Sequence, residues 1–511
     1  MALRSWKDHL PAGADPGSLD LTAGGSLPAV WAARWAADPD RPLLLDLAGR
    51  PDRWITAGEL DDRTRAAAGR FATLGLRPGD RVLSHLAAGP AAAVAAVAVL
   101  RAGLVLVPAN PDSADRELTD VIADVRPRAL VTADPARVAR LADGTGVPPA
   151  VLGPDLDPAD GSPASVGDPG ELPLDAPDPD RPALIGFTSG TTGSPKGAVL
   201  SQGNLLAGAE ALRLAWGWEP DDRLVHGLPL FHAHGLCVGL FGTLLAGASA
   251  VLLPRFDPGA VLDAARDHRA SLFFGVPTMY HRLFASGRAG ELARLRLAVS
   301  GSAPLAAGLH RELADTAGVT VLERYGMTET LMNASNPLHG DRRAGTVGFP
   351  LPGVDIRIEG GGEDGGEVLL RGPNVFAGYW ERPVATAEAF TDGWFRSGDL
   401  GAVDDAGYLR LLGRSKELII SGGFNVYPAE VEDVLLAHPA VAEVAVTGTP
   451  SEEWGEVVTA WVVPAGPPPS PGDLMAYAAD RLAPYKRPRL VRFVDALPRN
   501  AMGKVQRGEL Q

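Results

Sequence analysis

Apolar residues in the first third of the chain fall into short runs separated by stretches of about a helix's length. Arg81-Val82-Leu83-Ser84-His85-Leu86, Leu104-Val105-Leu106-Val107-Pro108 and Ala129-Leu130-Val131-Thr132 each read as a buried strand. Between them, the alanine-rich residues 91–102 and residues 116–125 read as helices. Strand, helix, strand at this spacing requires crossover connections, which implies a parallel sheet. Two earlier helical stretches, 30–36 and 57–74, are separated by Leu43-Leu44-Leu45-Asp46. Over residues 148–182 the pattern breaks into Pro, Asp and Gly, and an acidic surface linker is expected because so little apolar area can be buried.

The alternation then resumes. Ala183-Leu184-Ile185-Gly186-Phe187 reads as a strand, followed by Leu224-Val225-His226-Gly227, Ala250-Val251-Leu252-Leu253, Ser271-Leu272-Phe273-Phe274 and runs at 295–299 and 319–322. Ligands of open α/β sheets bind beyond the carboxyl ends of strands. That rule places His232, Thr278, residues 300–304 and residues 324–329 on one rim. Past Pro350 the period shifts to antiparallel strands around 354–358 and 367–371, a small β-region. The last hundred or so residues read as a compact α+β unit, with a helix from Pro428, strands at 441–446 and 457–463, a helix over 474–482 and a strand at 490–493. The fold class is α/β, a large N-terminal domain of mostly parallel sheets flanked by helices, followed by a small α+β C-terminal domain.

One stretch concentrates chemistry. Thr188-Ser189-Gly190-Thr191-Thr192-Gly193-Ser194-Pro195-Lys196-Gly197 follows a predicted strand and combines glycines, hydroxyls and one lysine. Glycines let backbone amides approach an anion, hydroxyls add donors and lysine adds charge, so a phosphate cradle is expected. It is not a P-loop, in which Gly-Lys is followed by Ser or Thr, since Lys196 lies between Pro195 and Gly197. A plain Gly/Ser/Thr turn is the bland alternative.

Charge and composition narrow the class further. A net charge of −15 argues against nonspecific binding to nucleic acid or to an anionic membrane. Gly 61 and Pro 45 among 511 residues are too few for a low-complexity chain. The single cysteine, Cys237, excludes an intramolecular disulfide and a cysteine-cluster metal site, and its apolar neighbours suit a small buried side chain. No apolar leader is apparent at the N-terminus and no run spans a bilayer, so a cytoplasmic protein is expected.

Five separated stretches together resemble the adenylate-forming superfamily of acyl-CoA synthetases, luciferases and peptide-synthetase adenylation domains. They are the glycine loop from Thr188, Arg324-Tyr325-Gly326-Met327-Thr328-Glu329-Thr330, Ser397-Gly398-Asp399, Gly413-Arg414-Ser415-Lys416-Glu417 through Ser421-Gly422-Gly423-Phe424-Asn425-Val426-Tyr427-Pro428, and Pro498-Arg499-Asn500-Ala501-Met502-Gly503-Lys504. The resemblance implies an AMP-binding and acyl-binding domain over 1–412, a hinge over 413–416 and a mobile domain over 417–511. It implies that a carboxylate attacks the α-phosphate of ATP, giving acyl-adenylate and pyrophosphate, and that the thiol of CoA then displaces AMP. ATP, Mg²⁺ and CoA are the implied cofactors and co-substrate.

Roles carried over by the resemblance follow the chemistry of each stretch. Thr188, Ser189, Gly190, Thr191, Thr192, Gly193 and Lys196 would hold the β- and γ-phosphates, Glu329 would hold Mg²⁺, and Asp399 with Arg414 would hold the ribose. Gly301, Ser302, Ala303 and Pro304, with Glu323, Arg324, Tyr325, Gly326, Met327 and Thr328, would sandwich the adenine. Lys504 is the expected catalytic cation of the first step, with Thr188 and Glu329 beside it. Lys416 matches the hinge, and Ser421, Gly422 and Gly423 match the loop lining the pantetheine channel. A protein acylase and deacylase acting on Lys504 are further implied partners.

The acyl pocket is expected from His232, Thr278, Arg282, Ser300 and Met327. Arg282 follows Thr278 by about one helical turn and can share its face, where a cation suits a second carboxylate. Val276-Pro277-Thr278-Met279-Tyr280-His281-Arg282 together with Glu323 to Asn333 resembles malonyl-CoA synthetases, some of which take methylmalonate. A malonate–CoA ligase is the expected enzyme. The alternatives are a ligase for another short or medium acid, an adenylation enzyme loading a carrier protein, a luciferase-like oxidase, and a nucleotide-binding protein without catalysis.

Overall fold

The computed structural model describes residues 3–10, 13–47, 53–143, 145, 150–157, 172–188, 195–360, 365–421, 424–451, 454–500 and 503–510. The crossover units expected near the N-terminus build a seven-stranded sheet. Its order is Gly378–Tyr379, Lys196–Ser201, Pro182–Thr188, Val105–Pro108, Arg81–His85, Ala129–Thr132, Ala150–Leu152. The strands Arg81–His85, Val105–Pro108 and Ala129–Thr132 pair in parallel, whereas Pro182–Thr188 and Lys196–Ser201 form an antiparallel hairpin.

A nine-stranded sheet carries the predicted rim. Arg223–His226, Ser249–Leu252, Leu272–Gly275, Leu297–Ser300 and Leu322–Met327 are joined in parallel, and antiparallel strands close both ends. Leu106 and Leu184 of the first sheet share one apolar core with Leu44, Leu224 and Phe274 of the second. The helices Pro90–Arg101 and Gln202–Ala215 belong to that core, and alanines and glycines along them allow close approach. Burial of this kind contributes roughly 25 cal/mol per Å² of apolar surface.

A smaller antiparallel sheet, Asp355–Glu359, Gly366–Arg371, Trp394–Val403, Phe390–Thr391 and Leu409–Arg414, completes the larger part. A fourth sheet begins at Ile419 and has its own apolar core around Val431, Leu435, Val446, Val458 and Leu474.

Three expectations need correction. Residues 148–182 are not simply a surface linker: Ala150–Leu152 adds a parallel edge strand, and Asp175 makes a bidentate pair with the buried Arg101, its Nε and Nη2 each 2.8 Å from a carboxylate oxygen. Leu43-Leu44-Leu45-Asp46, expected only as a separator, lies in the strand Pro42–Asp46, parallel to Ser249–Leu252. The strand expected at 319–322 instead runs Leu322–Met327, so the rim motif is itself extended and turns back through Leu331–Ser335. Gly326 permits that hairpin, because a Cβ there would lie 2.1 Å from the Leu331 carbonyl oxygen.

Candidate active site

The glycine loop joins two antiparallel strands, with Thr188 opposite Lys196 at its base. Ser189, Gly190, Thr191, Thr192 and Gly193 lie outside the described residues. The Thr188 hydroxyl faces the Lys196 carbonyl at 3.4 Å. Close packing brings this hairpin against the rim motif, since a Cβ on Gly186 would lie 2.6 Å from Thr328 Cγ2. Lys196 Nζ sits 5.2 Å from the ring centroid of Tyr379, whose hydroxyl donates to Glu329 Oε1 at 3.0 Å.

Tyr379 was not found from the sequence, because a neutral aromatic in Gly378-Tyr379-Trp380 carries no charge signal. Backbone pairing fixes it. Gly378 and Tyr379 pair with Val199 and Ala198, and the Trp380 amide donates to the Gly197 carbonyl at 2.7 Å.

Burial raises the pKa of the half-buried Glu329, an effect opposed by the tyrosine hydroxyl. A divalent cation would offset the cost of that buried charge. Mg²⁺ is commonly held by one or two carboxylates together with substrate phosphates rather than by a protein cage. The site fits that pattern, since Glu329 is a single buried carboxylate joined through Tyr379 to Lys196 at the base of the glycine loop.

Asp399 forms the next station. It is buried, its Oδ2 accepts from the Tyr325 hydroxyl, its Oδ1 pairs with Arg414 Nε at 2.7 Å, and its amide donates to Ser397 Oγ at 3.0 Å. Burial raises its pKa while Arg414, Tyr325 and Lys504 act in the opposite sense. An oriented carboxylate with a neighbouring guanidinium can accept hydrogen bonds from a vicinal diol.

The adenine-side segments are held by Glu323. Its two carboxylate oxygens accept from the Leu305 amide at 3.2 Å and the Gly345 amide at 3.1 Å, pinning the loop after Ser300 to the strand. Burial pushes its pKa up to about 7. Ser302 adopts φ 72°, while Ala303 and Pro304 are exposed.

Arg324, expected beside the adenine, lies instead close to His232 and Gly301. Arg324 is 3% exposed, yet its Nε and Nη2 have no hydrogen-bond partner among the described residues, nor has Ser300 Oγ. Gly301 makes room for it, since a Cβ there would lie 2.4 Å from Arg324 Cζ. Burial, with the charge of Arg324, pushes His232 down to about 4, so its imidazole is neutral near pH 7. Arg282 is placed differently. It is exposed and stacks on Phe256, 5.1 Å from the ring centroid, while Thr278 and Met327 are half-buried.

Lys504 stands at the meeting point. A Cβ on Gly503 would lie 3.2 Å from Thr278 Oγ1, so the C-terminal loop touches the acyl side of the rim. Lys504 is charge-coupled to Asp399, Glu417 and Arg414, and burial lowers its pKa. Its amide donates to Asn500 Oδ1 at 3.0 Å. Arg507 anchors the segment, bonding Glu417 at 3.0 Å and Glu432 at 2.7 and 2.9 Å. Lys416 is exposed and Ser421 buried, while Gly422 and Gly423 lie outside the described residues.

Tyr379 thus joins Lys196 to Glu329, and Asp399, Arg414 and Lys504 interact by charge beside them. The AMP-binding enzyme model matches residues 31–380, and the AMP-binding enzyme C-terminal domain matches residues 430–504. The chain belongs to the AMP-binding enzyme family. The feruloyl-CoA synthase of an Amycolatopsis species is 40% identical over 470 residues, 89% of this chain and 93% of that protein. The mitochondrial malonate–CoA ligase of Mus musculus is 36% identical over 546 residues, 97% and 92% of the two chains. ATP-bound MatB from Rhodopseudomonas palustris superposes with a TM-score of 0.87 at 41% identity, covering 95% of this chain and 98% of that one.

The enzyme is an AMP-forming acid–thiol ligase, and ATP, Mg²⁺ and CoA are the cofactors of that class. Among the described residues no helix is long and apolar enough to cross a membrane.

Proposed function

We propose that this ligase converts malonate and CoA to malonyl-CoA, with methylmalonate as a second substrate, and that it acts in the cytoplasm. The observation that carries this reading is the buried Arg324 guanidinium with unused donors beside Ser300 and His232. A buried cation without a partner is costly, and a substrate that brings a second carboxylate would supply one. A charge-assisted bond of that kind is worth about 1.5–3 kcal/mol, so malonate should be preferred to propionate by at least about an order of magnitude. The likeness to malonate–CoA ligase and MatB supports the same choice.

In the proposed reaction one carboxylate oxygen attacks the α-phosphorus of ATP, the α–β phosphoanhydride breaks, and pyrophosphate leaves with the bonding electrons. Lys504 stabilises charge gathering on the attacking and equatorial oxygens, and Asp399 with Arg414 orients the nucleotide. The glycine loop and Lys196 hold the departing phosphates. Bound Mg²⁺, held by Glu329, would supply charge neutralisation to those phosphates. Acylation of Lys504 by a protein acylase would remove the cation and stop the first step.

A second reading is a ligase for an aromatic or other monocarboxylic acid, favoured by the comparable identity to feruloyl-CoA synthase. An acid panel assayed by AMP release with and without CoA separates the two. Malonate- and CoA-dependent turnover supports the first; faster turnover of ferulate or propionate overturns it.

A further inference from the structure

Residues 3–10 cross the junction of two sheets, the nine-stranded sheet that carries the rim and the small antiparallel sheet that carries Asp399. The segment makes one helical turn, Trp6–His9. His9 is buried, its ring lies 4.2 Å from that of Phe349 at 30°, and its Nε2 lies 3.3 Å from the Phe349 carbonyl oxygen. A nitrogen facing a carbonyl must donate, so Nε2 carries the proton. Burial pushes the pKa of His9 down to about 4, which keeps the imidazole neutral near pH 7. The strand it binds, Phe349–Pro350, lies at the edge of the nine-stranded sheet, where an unpaired carbonyl needs a donor.

Arg4 grips the other sheet. Its amide donates to the Gly407 carbonyl at 3.0 Å and its Nη1 to the Tyr408 hydroxyl at 3.3 Å. Its guanidinium lies 4.6 Å from the ring centroid of Phe349 and 5.5 Å from that of Tyr408. These two buried rings, one from each sheet, meet edge-on at 5.6 Å and 84°. One cation thus attracts both aromatic faces of the junction.

Strand register leads from this junction to the nucleotide side. Phe349 lies opposite Ser335, which lies opposite Arg324, the neighbour of Tyr325. Tyr408 precedes the strand Leu409–Arg414, whose last residue lies opposite Asp399. The two sheets join again where the Tyr325 hydroxyl donates to Asp399 Oδ2.

We propose that residues 3–10 form a positioning strap, in which Arg4 and His9 clamp the Phe349–Tyr408 junction and so hold Tyr325 within reach of Asp399, the expected ribose acceptor. Both act through Tyr325 and are positioning residues. A hydrogen bond made between two sheets weakens steeply when one shifts against the other, so loosening the clamp disorients the carboxylate that orders ATP. The proposal rests on the ribose role of Asp399 and not on which acid is activated.

The test measures KM for ATP in acid-dependent pyrophosphate exchange, with the acid the full-length enzyme turns over fastest, for Arg4→Ala, Arg4→Lys and His9→Phe, each assayed well below its melting temperature. The expected result is a KM for ATP raised about fivefold in Arg4→Ala and in His9→Phe, with the KM for the acid and for CoA unchanged. Arg4→Lys, which keeps a cation over the rings, restores the wild-type value. Adding Arg4→Ala to Tyr325→Phe raises the KM for ATP no further, because the bond the strap supports is already gone. A wild-type KM for ATP in both Arg4→Ala and His9→Phe, equal rises for all three substrates, or the full Arg4→Ala effect persisting in Tyr325→Phe overturns the proposal. A wild-type KM for ATP in Asp399→Asn would instead remove the ribose assignment beneath it.

Discussion

The Tyr379 hydroxyl donates to Glu329 Oε1 at 3.0 Å while its ring faces Lys196 Nζ, so one side chain joins the expected metal carboxylate to the phosphate-loop lysine. Neither charged group reaches the other directly through any described contact. The tyrosine therefore sets how far apart cation and carboxylate stand before MgATP arrives.

Tyr379→Phe keeps the ring and removes the donor. The expected outcome is a KM for MgATP raised about tenfold or more, in line with loss of one hydrogen bond to a charged group, and an unchanged KM for the acid. Direct calorimetric titration with MgATP should show the same loss of affinity. Equal effects on acid and nucleotide would argue against a nucleotide-side role.

Arg324 couples substrate choice to stability in opposite senses. Replacing an unpaired buried cation by an apolar side chain of similar length should leave the fold as stable or more so, so Arg324→Met should hold or raise the melting temperature. The same change should raise the KM for malonate at least tenfold and narrow the preference over propionate. Arg282→Ala removes an exposed guanidinium stacked on Phe256 and should leave the KM for malonate close to wild type. Wild-type malonate kinetics in Arg324→Met would remove the basis for a dicarboxylate substrate.

Glu323 makes stability depend on pH. Its carboxyl has a pKa of about 7 when folded, above its usual value of 4.5, so the folded state binds the proton more tightly. Stability from this group is full below about pH 4.5 and is lost as pH rises towards 7, by roughly 3 kcal/mol in all. Melting curves between pH 5 and 8 should fall for wild type and be flatter for Glu323→Gln. Parallel curves would mean another group controls the slope.

Arg101 is fully buried and is bound by Asp61 at 2.7 Å and Asp175 at 2.8 Å, with the Thr64 hydroxyl accepting at 2.7 Å. Arg101→Ala leaves Asp175 without its cation inside the larger domain and Asp61 with Arg65 alone. A loss of about 3–5 kcal/mol in denaturant unfolding is expected. A loss below about 1 kcal/mol would mean that water replaces the guanidinium.

Much of this was legible in the chain because strand runs and glycine-rich stretches are local signals. The parallel strands Arg81–His85 and Val105–Pro108, and the strand ending at Ser300, follow from alternation, whereas Arg324 was expected just past a strand that in fact contains it. The docking of Asp175 on Arg101 was not legible, since an acidic residue in a Pro/Gly-rich stretch looks solvated until a partner 74 positions away appears. Tyr379 was missed for a related reason: its importance lies in two contacts made across the fold. Arg324 was expected to flank adenine, and only its burial without partners turns attention to the acyl side. Arg282, expected at the pocket from helical spacing, shows that a shared helix face does not fix where a long side chain ends.

Adenylation aided by Lys504 from a domain that must then move away is tested most directly by separating the two half-reactions in Lys504→Ala. Acid-dependent exchange of pyrophosphate into ATP should fall by at least about a hundredfold, comparable to loss of an electrostatic donor, while conversion of prepared acyl-adenylate and CoA to thioester stays within a few-fold of wild type. Exchange at the wild-type rate, or equal loss in both half-reactions, would contradict it.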